Sequence, residues 1–307
     1  MQILFFLLFI TFYLHAEINE ENIATKAYQT NINALMVFTS QEGLNSGHYH
    51  FTDAGFKMDI YHLPFLYHLK SSYKNINFFL MGNVGYSRTM LDGVISDPSK
   101  DRLLNYDNHL RTYTGGLGGG IRYQNENGIN ILAGLELIYS RTGISVRQPD
   151  DDLGNAIEDF FKNKFNDNLT YKVLTQIEYR KTYEGFKPYA LLSYKLYETK
   201  ADFSFDALTS FTTQASVTSF GLGAETPQLY TFNQMYLTLE AYLYGHYLGG
   251  DITDVVGFDT YHTIGTVAYW NTPENINWAE RFFLELSTVN SSGLEGYNIG
   301  IGFTVDF

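Results

Sequence analysis

The stretch of sequence that decides the fold lies at residues 234–247 and reads QMYLTLEAYLYGHY. Apolar side chains recur at every second position, so that Leu239 and Leu243 share one face of an extended chain. The opposite face carries Glu240 and His246 among tyrosines. An apolar face toward lipid and a polar face toward a wet lumen account for both rows, as in a strand of a transmembrane β-barrel.

The same period of two recurs along the chain, most clearly at residues 129–140, 169–180 and 186–197. Read from end to end, the pattern predicts strands at residues 31–40, 55–69, 75–90, 111–125, 129–146, 169–183, 186–203, 215–230, 234–250, 258–271, 279–291 and 296–307. The alternation is weak in the second and the tenth of these strands. The fold class that we expect is therefore all-β, a closed antiparallel transmembrane β-barrel of about twelve strands.

The composition agrees with a barrel and excludes several classes of protein. The 307 residues include 25 tyrosines, 24 phenylalanines and 27 glycines, yet the mean hydropathy is only −0.17. Aromatic girdles combined with one polar face per strand produce that combination. The chain has no cysteine, which excludes a disulfide framework and a thiolate metal site. Its net charge of −13 argues against nucleic-acid binding, and we expect no metal and no cofactor.

The N-terminus predicts export. Residues 3–14 form an apolar run that is too short to span a bilayer as a helix, and an abrupt acidic segment follows Ala16. We therefore expect a signal peptide at residues 1–16, a short N-terminal segment at 17–30 and the barrel at 31–307. The alternative for the first stretch is a buried N-terminal helix. No later run approaches the length that a transmembrane helix needs.

The predicted connections alternate in length, which orients the barrel. Short turns are expected at 125–128, 183–185, 231–233 and 272–277, and long connections at 41–54, 91–110, 147–168, 204–214 and 251–257. Short periplasmic turns and long outer loops are the usual asymmetry, and an even strand number leaves both termini in the periplasm. The acidic run Asp150–Asp152 is interpreted as part of a solvated loop; alternatively, it caps a helix around Leu153–Phe165 or binds a cation.

The last ten residues, NIGIGFTVDF, form one more alternating strand. Phe303, Val305 and Phe307 fall on its apolar face. Such a strand resembles the signal that the outer-membrane barrel-assembly machinery reads, because an unpaired edge strand can add to a template edge before the barrel closes. We therefore expect these three residues to be an assembly signal and that machinery to be a partner during biogenesis.

Two longer stretches resemble the β-domains of autotransporters. Residues 111–142 (RTYTGGLGGGIRYQNENGINILAGLELIYSRT) are similar to that family's glycine-rich strand, short polar turn and following strand. Residues 186–203 (FKPYALLSYKLYETKADF) and 216–225 (SVTSFGLGAE) are similar to its Pro-Tyr hairpin and serine-rich return strand. The resemblance spans residues 75–307 and implies a twelve-stranded barrel. Autotransporters carry a passenger before the barrel, whereas only residues 17–31 precede the first predicted strand, so we expect a solitary barrel.

Ten charged side chains fall on the inward face of the predicted strands. They are Arg122, Glu136, Lys172, Glu178, Arg180, Lys195, Glu225, Glu240, Arg281 and Glu285. Charges in a narrow barrel are tolerable when they are wet or paired, so the set is either a bracing network or a constriction that selects small polar or ionic solutes. Glu225 and Glu240 fall opposite each other across the turn at 231–233. Their like charges require a base nearby, for which Lys195 and Arg180 are within reach.

Gly116, Gly118 and Gly120 give the fourth predicted strand a bare inner face. A glycine row in a strand marks close approach by another element or relieves strand curvature. A twelve-stranded barrel is also wider than wall side chains alone fill, so a plug beside this row is one expectation and relief of curvature is the other. The candidate plugs are the segment at 17–30 and the connection at 147–168.

The sequence therefore predicts a protein of the bacterial outer membrane, in contact with outer-membrane lipid and lipopolysaccharide. A passive small-solute pore and a structural surface barrel both fit the pattern, and adhesion through the outer loops is the alternative. An enzyme is not expected. An outer-membrane hydrolase would have to use His246 and His262, which lie near Asp251 and Asp254. No convergent nucleophile is apparent beside them.

Overall fold

The computed structural model describes residues 31–38, 44–69, 75–97, 102–147, 165–203, 210–272 and 281–304. The predicted signal peptide, the segment at 17–30 and the terminal Val305 and Phe307 lie outside these ranges. No helix within these ranges is long and apolar enough to cross a membrane.

Within the described residues, thirteen antiparallel strands form a single sheet, and twelve of them close it into a barrel. In chain order they are β1 (Leu44–Phe51), β2 (Phe56–Leu69), β3 (Ile76–Asp97), β4 (Arg102–Gln124), β5 (Ile129–Arg147), β6 (Phe165–Arg180), β7 (Lys187–Phe203), β8 (Phe211–Glu225), β9 (Tyr230–Phe232), β10 (Met235–Gly250), β11 (Thr260–Asn271), β12 (Arg281–Asn290) and β13 (Leu294–Thr304). The short β9 pairs only beside β10, and the pairing of β13 with β1 completes the closure. Closure pairs the sheet edges, as strands that cross a lipid bilayer require. The predicted fold class and the number of barrel strands are confirmed.

Two rings of tyrosine bound an apolar band on the outside of the barrel. The upper tyrosine ring, toward the long connections, includes Tyr61, Tyr86, Tyr113, Tyr139 and Tyr171, and the lower tyrosine ring, toward the short turns, includes Tyr123, Tyr179 and Tyr183. On β4, the exposed Leu117 and Ile121 lie between the two rings. The strand rise and the usual tilt place the rings about 25 Å apart, which is the height of the apolar band of a transmembrane barrel. Phe303, from the predicted assembly signal, is exposed on the outside of β13.

The first strand does not lie where the alternation placed it. Residues 31–38 (NINALMVF) form a helix, α1, and every residue in it is buried. The barrel begins instead with β1, which pairs with β13 on one side and β2 on the other. A short apolar run fits a strand and a buried helix equally well, because periodicity alone cannot separate the two. The prediction of a strand at residues 31–40 is therefore wrong.

Two of the predicted long connections are also largely strand. The interval 41–54 contains β1 and leads into a tight turn at residues 52–55. In the interval 91–110, β3 continues to Asp97 and β4 begins at Arg102, so this hairpin rises well above the upper tyrosine ring. These residues lie beyond the lipid-facing band, where an alternating apolar row is no longer required.

The weak alternation of β2 has a structural cause, namely a change in which of its faces is apolar. Near its outer end, Phe56, Met58 and Ile60 point into the lumen and are buried. Nearer its inner end, Leu63 and Phe65 point outward and are exposed. Both parts of the strand alternate, but their phases are opposite, so that the whole strand shows no single period. The lumen therefore offers a second apolar environment besides the lipid.

The depth of the apolar band predicts how the outer surface tolerates charge. Replacing Leu243, which lies near the middle of the band on β10, with arginine should destabilise the folded barrel by about 2–4 kcal/mol. The control Tyr247→Arg changes the same face of the same strand near the upper tyrosine ring and should cost about 0–1 kcal/mol. Equilibrium unfolding of the protein in phospholipid vesicles measures both free energies, and equal costs would contradict the assigned depths.

Candidate functional site: a lumen filled from both ends

The outer half of the lumen, toward the long connections, is filled by α1 and by apolar side chains around it. The residues of α1 are at most 4% exposed. The ring of Phe38 packs against Tyr49, Phe51 and Tyr261, with ring centroids 4.8, 5.5 and 5.3 Å apart. The helix therefore contacts strands β1 and β11, which lie on either side of β12 and β13 in the wall.

The apolar cluster around α1, the outer core, draws on most of the wall. Its members on the strands are Tyr49, Phe51, Phe56, Met58, Ile60, Ile138, Tyr197, Ala201, Ala215, Val217, Leu248, Tyr261, Val289 and Leu294. From the connection after β10, Ile252 and Val256 enter the cluster at the start and the end of a short helix, α2 (Thr253–Val256). Burial of this surface stabilises the filled barrel as it stabilises any protein core. The outer core could not be recognised from the alternation, because its apolar strand residues lie on the face that the pattern assigns to a wet lumen.

Two asparagines tie α1 to walls that lie several strands apart. Asn31 accepts a hydrogen bond from Thr89 Oγ1 at 2.5 Å and donates one to Thr112 Oγ1 at 3.4 Å. Asn33 donates to Thr213 Oγ1 at 2.8 Å. Buried amides are costly without partners, so these contacts favour one height and one orientation of the helix.

The inner half of the lumen, toward the short turns, holds an ion-pair network. The register places Glu225 directly opposite Glu240, as the sequence predicted. Arg180 Nη1 lies 3.9 Å from the carboxylate of Glu225 and 3.5 Å from that of Glu240, which confirms the expected base. Lys187 Nζ donates to Glu225 Oε1 at 3.0 Å, and Arg281 Nη1 donates to Oε2 at 3.3 Å. Glu225 is thus shared by three bases from three different strands.

The other charged residues of the predicted set also point inward, in smaller groups. Glu136 Oε2 accepts a hydrogen bond from Lys172 Nζ at 2.9 Å, and Glu136 Oε1 accepts one from Asn83. Arg122 Nε donates to Asn130 Oδ1 at 2.9 Å. The remaining members on the same face are Glu178, Lys195 and Glu285.

Tyrosines that the predicted set left out complete the network. Tyr189 donates a hydrogen bond to Glu240 at 2.7 Å. The guanidinium carbon of Arg281 lies 4.0 Å from the ring centre of Tyr269. Alternation along a strand is the signal that separates these inward tyrosines from those of the two tyrosine rings. Tyr242, for example, lies an even number of residues from Glu240 on β10, so it shares the inward face and is buried.

Side chains of the two neighbouring strands cover the glycine row of β4. A β-carbon at Gly116 would collide with Asn83 and Glu136, and one at Gly120 would collide with Phe79. The row makes room for these larger side chains from β3 and β5, which is the close approach that such glycines permit.

The described segment that fills the lumen is α1. It contacts the walls at Thr89, Thr112 and Thr213, nearer the outer end than the glycine row. The segment at 17–30 and most of the connection at 147–168, the two candidates from the sequence, lie outside the described residues.

The two histidines considered for hydrolysis point to opposite faces of the wall. His262 pairs with Gly245 on the adjacent strand and is exposed on the outside, whereas His246 points into the lumen. His246 Nδ1 lies 2.8 Å from Ser219 Oγ, and its Nε2 lies 3.1 Å from Thr263 Oγ1. Hydroxyl groups therefore hold the imidazole of His246 from both sides. The two histidines do not meet on one face of the wall, so they do not form the pair that a hydrolase would need.

Solved structures of similar fold are barrels of autotransporters. The chain is similar to the translocator domain of the autotransporter NalP from Neisseria meningitidis, with 14% identity and a TM-score of 0.53 over 92% of this chain and 96% of that one. It is also similar to the transport unit of AIDA-I from Escherichia coli, with 13% identity and a TM-score of 0.56 over 95% of this chain and 100% of that one. For the β-domain of the Bordetella autotransporter BrkA, the identity is 9% and the TM-score 0.56, over 86% and 96% of the two chains. No protein-family profile and no curated sequence matches the chain.

The shared feature of these structures and this chain is the autotransporter-type barrel itself. At such low identities the likeness establishes the fold, and the fold is that of barrels from bacterial outer membranes.

Glu225 is the carboxylate through which the network can be tested. Its replacement by glutamine removes the charge that Lys187 and Arg281 share, and should lower the free energy of unfolding by about 3–5 kcal/mol. The control Asp167→Asn makes the same chemical change in a pair with Arg141 on the outer wall, where exposure to solvent leaves little to lose. Denaturant unfolding in detergent micelles compares the two variants, and similar destabilisation by both would contradict the buried network.

Proposed function

We propose that the chain is a structural barrel of the bacterial outer membrane, that its own helix holds the lumen shut, and that it does not conduct solutes. The observation that carries this proposal is α1, which lies across the lumen inside the outer core. Passage of ions needs water or coordinating polar groups along the whole path. A packed apolar plug supplies neither, so the outer half of the lumen supports closure.

The inner half supports closure through a different interaction. Arg180 on β6 contacts carboxylates on β8 and β10, and Arg281 on β12 contacts Glu225 on β8. Each pair reaches over one or two intervening strands, so the side chains of the network extend into the lumen from the part of the wall between β6 and β12. Charges removed from water need partners of this kind. The bracing interpretation of the ten inward charges is therefore preferred to that of a selective constriction.

The proposed location rests on the outer surface of the barrel. The exposed apolar residues between the two tyrosine rings form a band of the height that a bilayer requires. The similar solved structures, NalP, AIDA-I and BrkA, are barrels of the same type. Both observations support insertion in the outer membrane.

Removing α1 should convert the closed barrel into a conducting one. In planar bilayers, the unmodified protein should give no discrete channel steps, whereas a variant that lacks residues 31–38 should give them, because the outer core loses its central element. Deletion of residues 154–161 removes the same length from a predicted outer connection and is the matched control, which should remain silent.

The change in electrophoretic mobility between heated and unheated samples establishes that each barrel has assembled. If the deletion prevents assembly, Leu35→Asp keeps the chain length and places a charge in the outer core, with the same expected result. Discrete steps from the unmodified protein would overturn the proposal, as would silence from an assembled barrel that lacks α1.

A further inference from the structure

A hollow interrupts the lipid-facing wall between β4 and β5. Gly115 forms its floor, Tyr113 and Tyr139 stand on either side, and the volume is about 380 Å³. The register places Gly115 opposite Tyr139 and Tyr113 opposite Arg141, so that the arginine lies at the outer edge of the hollow. Apart from Gly115 itself and its two chain neighbours, no atom of the residues that the structure describes lies within 4 Å of the position that a β-carbon on Gly115 would occupy.

Other glycines of the wall are covered by a neighbouring side chain. The ring of Phe65 lies over Gly82, which also faces outward, and Phe79 lies over Gly120 on the inside. At Gly115, by contrast, the missing side chain leaves an open gap between two tyrosine rings. An unfilled gap forfeits van der Waals contacts, and on a lipid-facing wall a hydrocarbon chain is the material that restores them.

The hollow lies where the hydrocarbon of the outer leaflet meets its headgroups. Tyr113 belongs to the upper tyrosine ring, which continues through Tyr86 to Tyr61 with ring centroids 5.2 and 6.1 Å apart. Aromatic girdles mark this boundary in transmembrane barrels. A residue two positions further out along a strand of the usual tilt stands about 5 Å higher, at the level of the headgroups.

Arginines occupy that higher level on three adjacent strands. Arg88, Arg111 and Arg141 point outward from β3, β4 and β5. Arg141 holds Asp167 through Nε and Nη2, at 2.7 and 3.0 Å, which leaves Nη1 outside that pair. Arg111 is exposed and forms no ion pair with any residue that the structure describes. Two acids lie beside these three arginines in register, Asp59 opposite Arg88 and Asp167 opposite Arg141. This part of the surface therefore has an excess of positive charge, although the net charge of the whole chain is −13.

We propose that this surface binds a phosphorylated lipid of the outer leaflet. One acyl chain lies in the hollow over Gly115, between Tyr113 and Tyr139, and the phosphate contacts Arg111 and Arg141. Guanidinium groups bind phosphate oxygens through charge-assisted N–H donors, which Arg111 and Arg141 present from diagonal positions on neighbouring strands. The gap over Gly115 positions the acyl chain of the lipid, and the positive charge of the two arginines selects an anionic headgroup.

Lipid retention by the purified barrel tests the site. Protein in detergent micelles is mixed with lipid A, with lipid A from which the phosphates have been removed, or with inorganic phosphate, and the bound fraction is measured by native mass spectrometry. The double variant Arg111→Gln with Arg141→Gln should lower retention of lipid A about tenfold or more, because each cationic side chain adds to the attraction. Gly115→Leu fills the hollow without a change of charge and should also lower it.

Matched controls make the same kinds of change elsewhere on the outer wall. Lys200→Gln removes an exposed positive charge on β7, and Ala241→Leu adds apolar bulk to an exposed position on β10, and both should leave retention unchanged. Equal retention by all variants would overturn the proposal, and so would equal losses in the controls. Undiminished retention of the phosphate-free lipid would overturn the role of the arginines. If inorganic phosphate competes with lipid A and binds the Gly115→Leu variant as well as the unmodified protein, the site is a simple anion site. That result would overturn lipid recognition.

Discussion

The packing of α1 inside the barrel is the interaction on which the rest of the structure depends. A twelve-stranded wall encloses more space than its own side chains fill, and an empty lumen would forfeit contacts along every strand. α1 fills the outer half with apolar surface, while pairs such as Arg180 with Glu225 extend into the inner half. The two halves of the lumen are thus occupied by opposite means, hydrophobic burial at one end and compensated charge at the other.

Filling the lumen in this way exposes each strand to several environments in turn. Along β2, the inward face passes from the outer core at Met58 to a polar environment at His62, while the outward face reaches lipid at Leu63. Along β10, Glu240 and Leu248 both point inward, at opposite ends of the lumen. The identity of a residue therefore depends on its height in the barrel as much as on its face. The outer surface follows the same rule, with arginines standing above the upper tyrosine ring.

The features that could be predicted from the sequence are those that lipid or a single turn determines. The outward row of Leu239 and Leu243 needs no knowledge of distant partners, and counting across one hairpin placed Glu225 opposite Glu240. α1 could not be predicted as a helix, because a segment buried on all sides has no wet face to mark a period. The approach of Arg281 to Glu225 reaches over two intervening strands and leaves no trace in local spacing.

The most direct measurement of the central claim is the contact between α1 and the wall in the assembled barrel. The chain has no cysteine, so the double variant Asn33→Cys with Thr213→Cys carries two thiols at positions whose side chains lie 2.8 Å apart. Treatment of outer membranes with a short homobifunctional thiol reagent, followed by mass spectrometry of the peptides, should join positions 33 and 213. Moving the second cysteine to Thr212, which faces outward on the same strand, should abolish the crosslink. Equal crosslinking at both positions, or none at 213 in an assembled barrel, would contradict a lumen closed by α1.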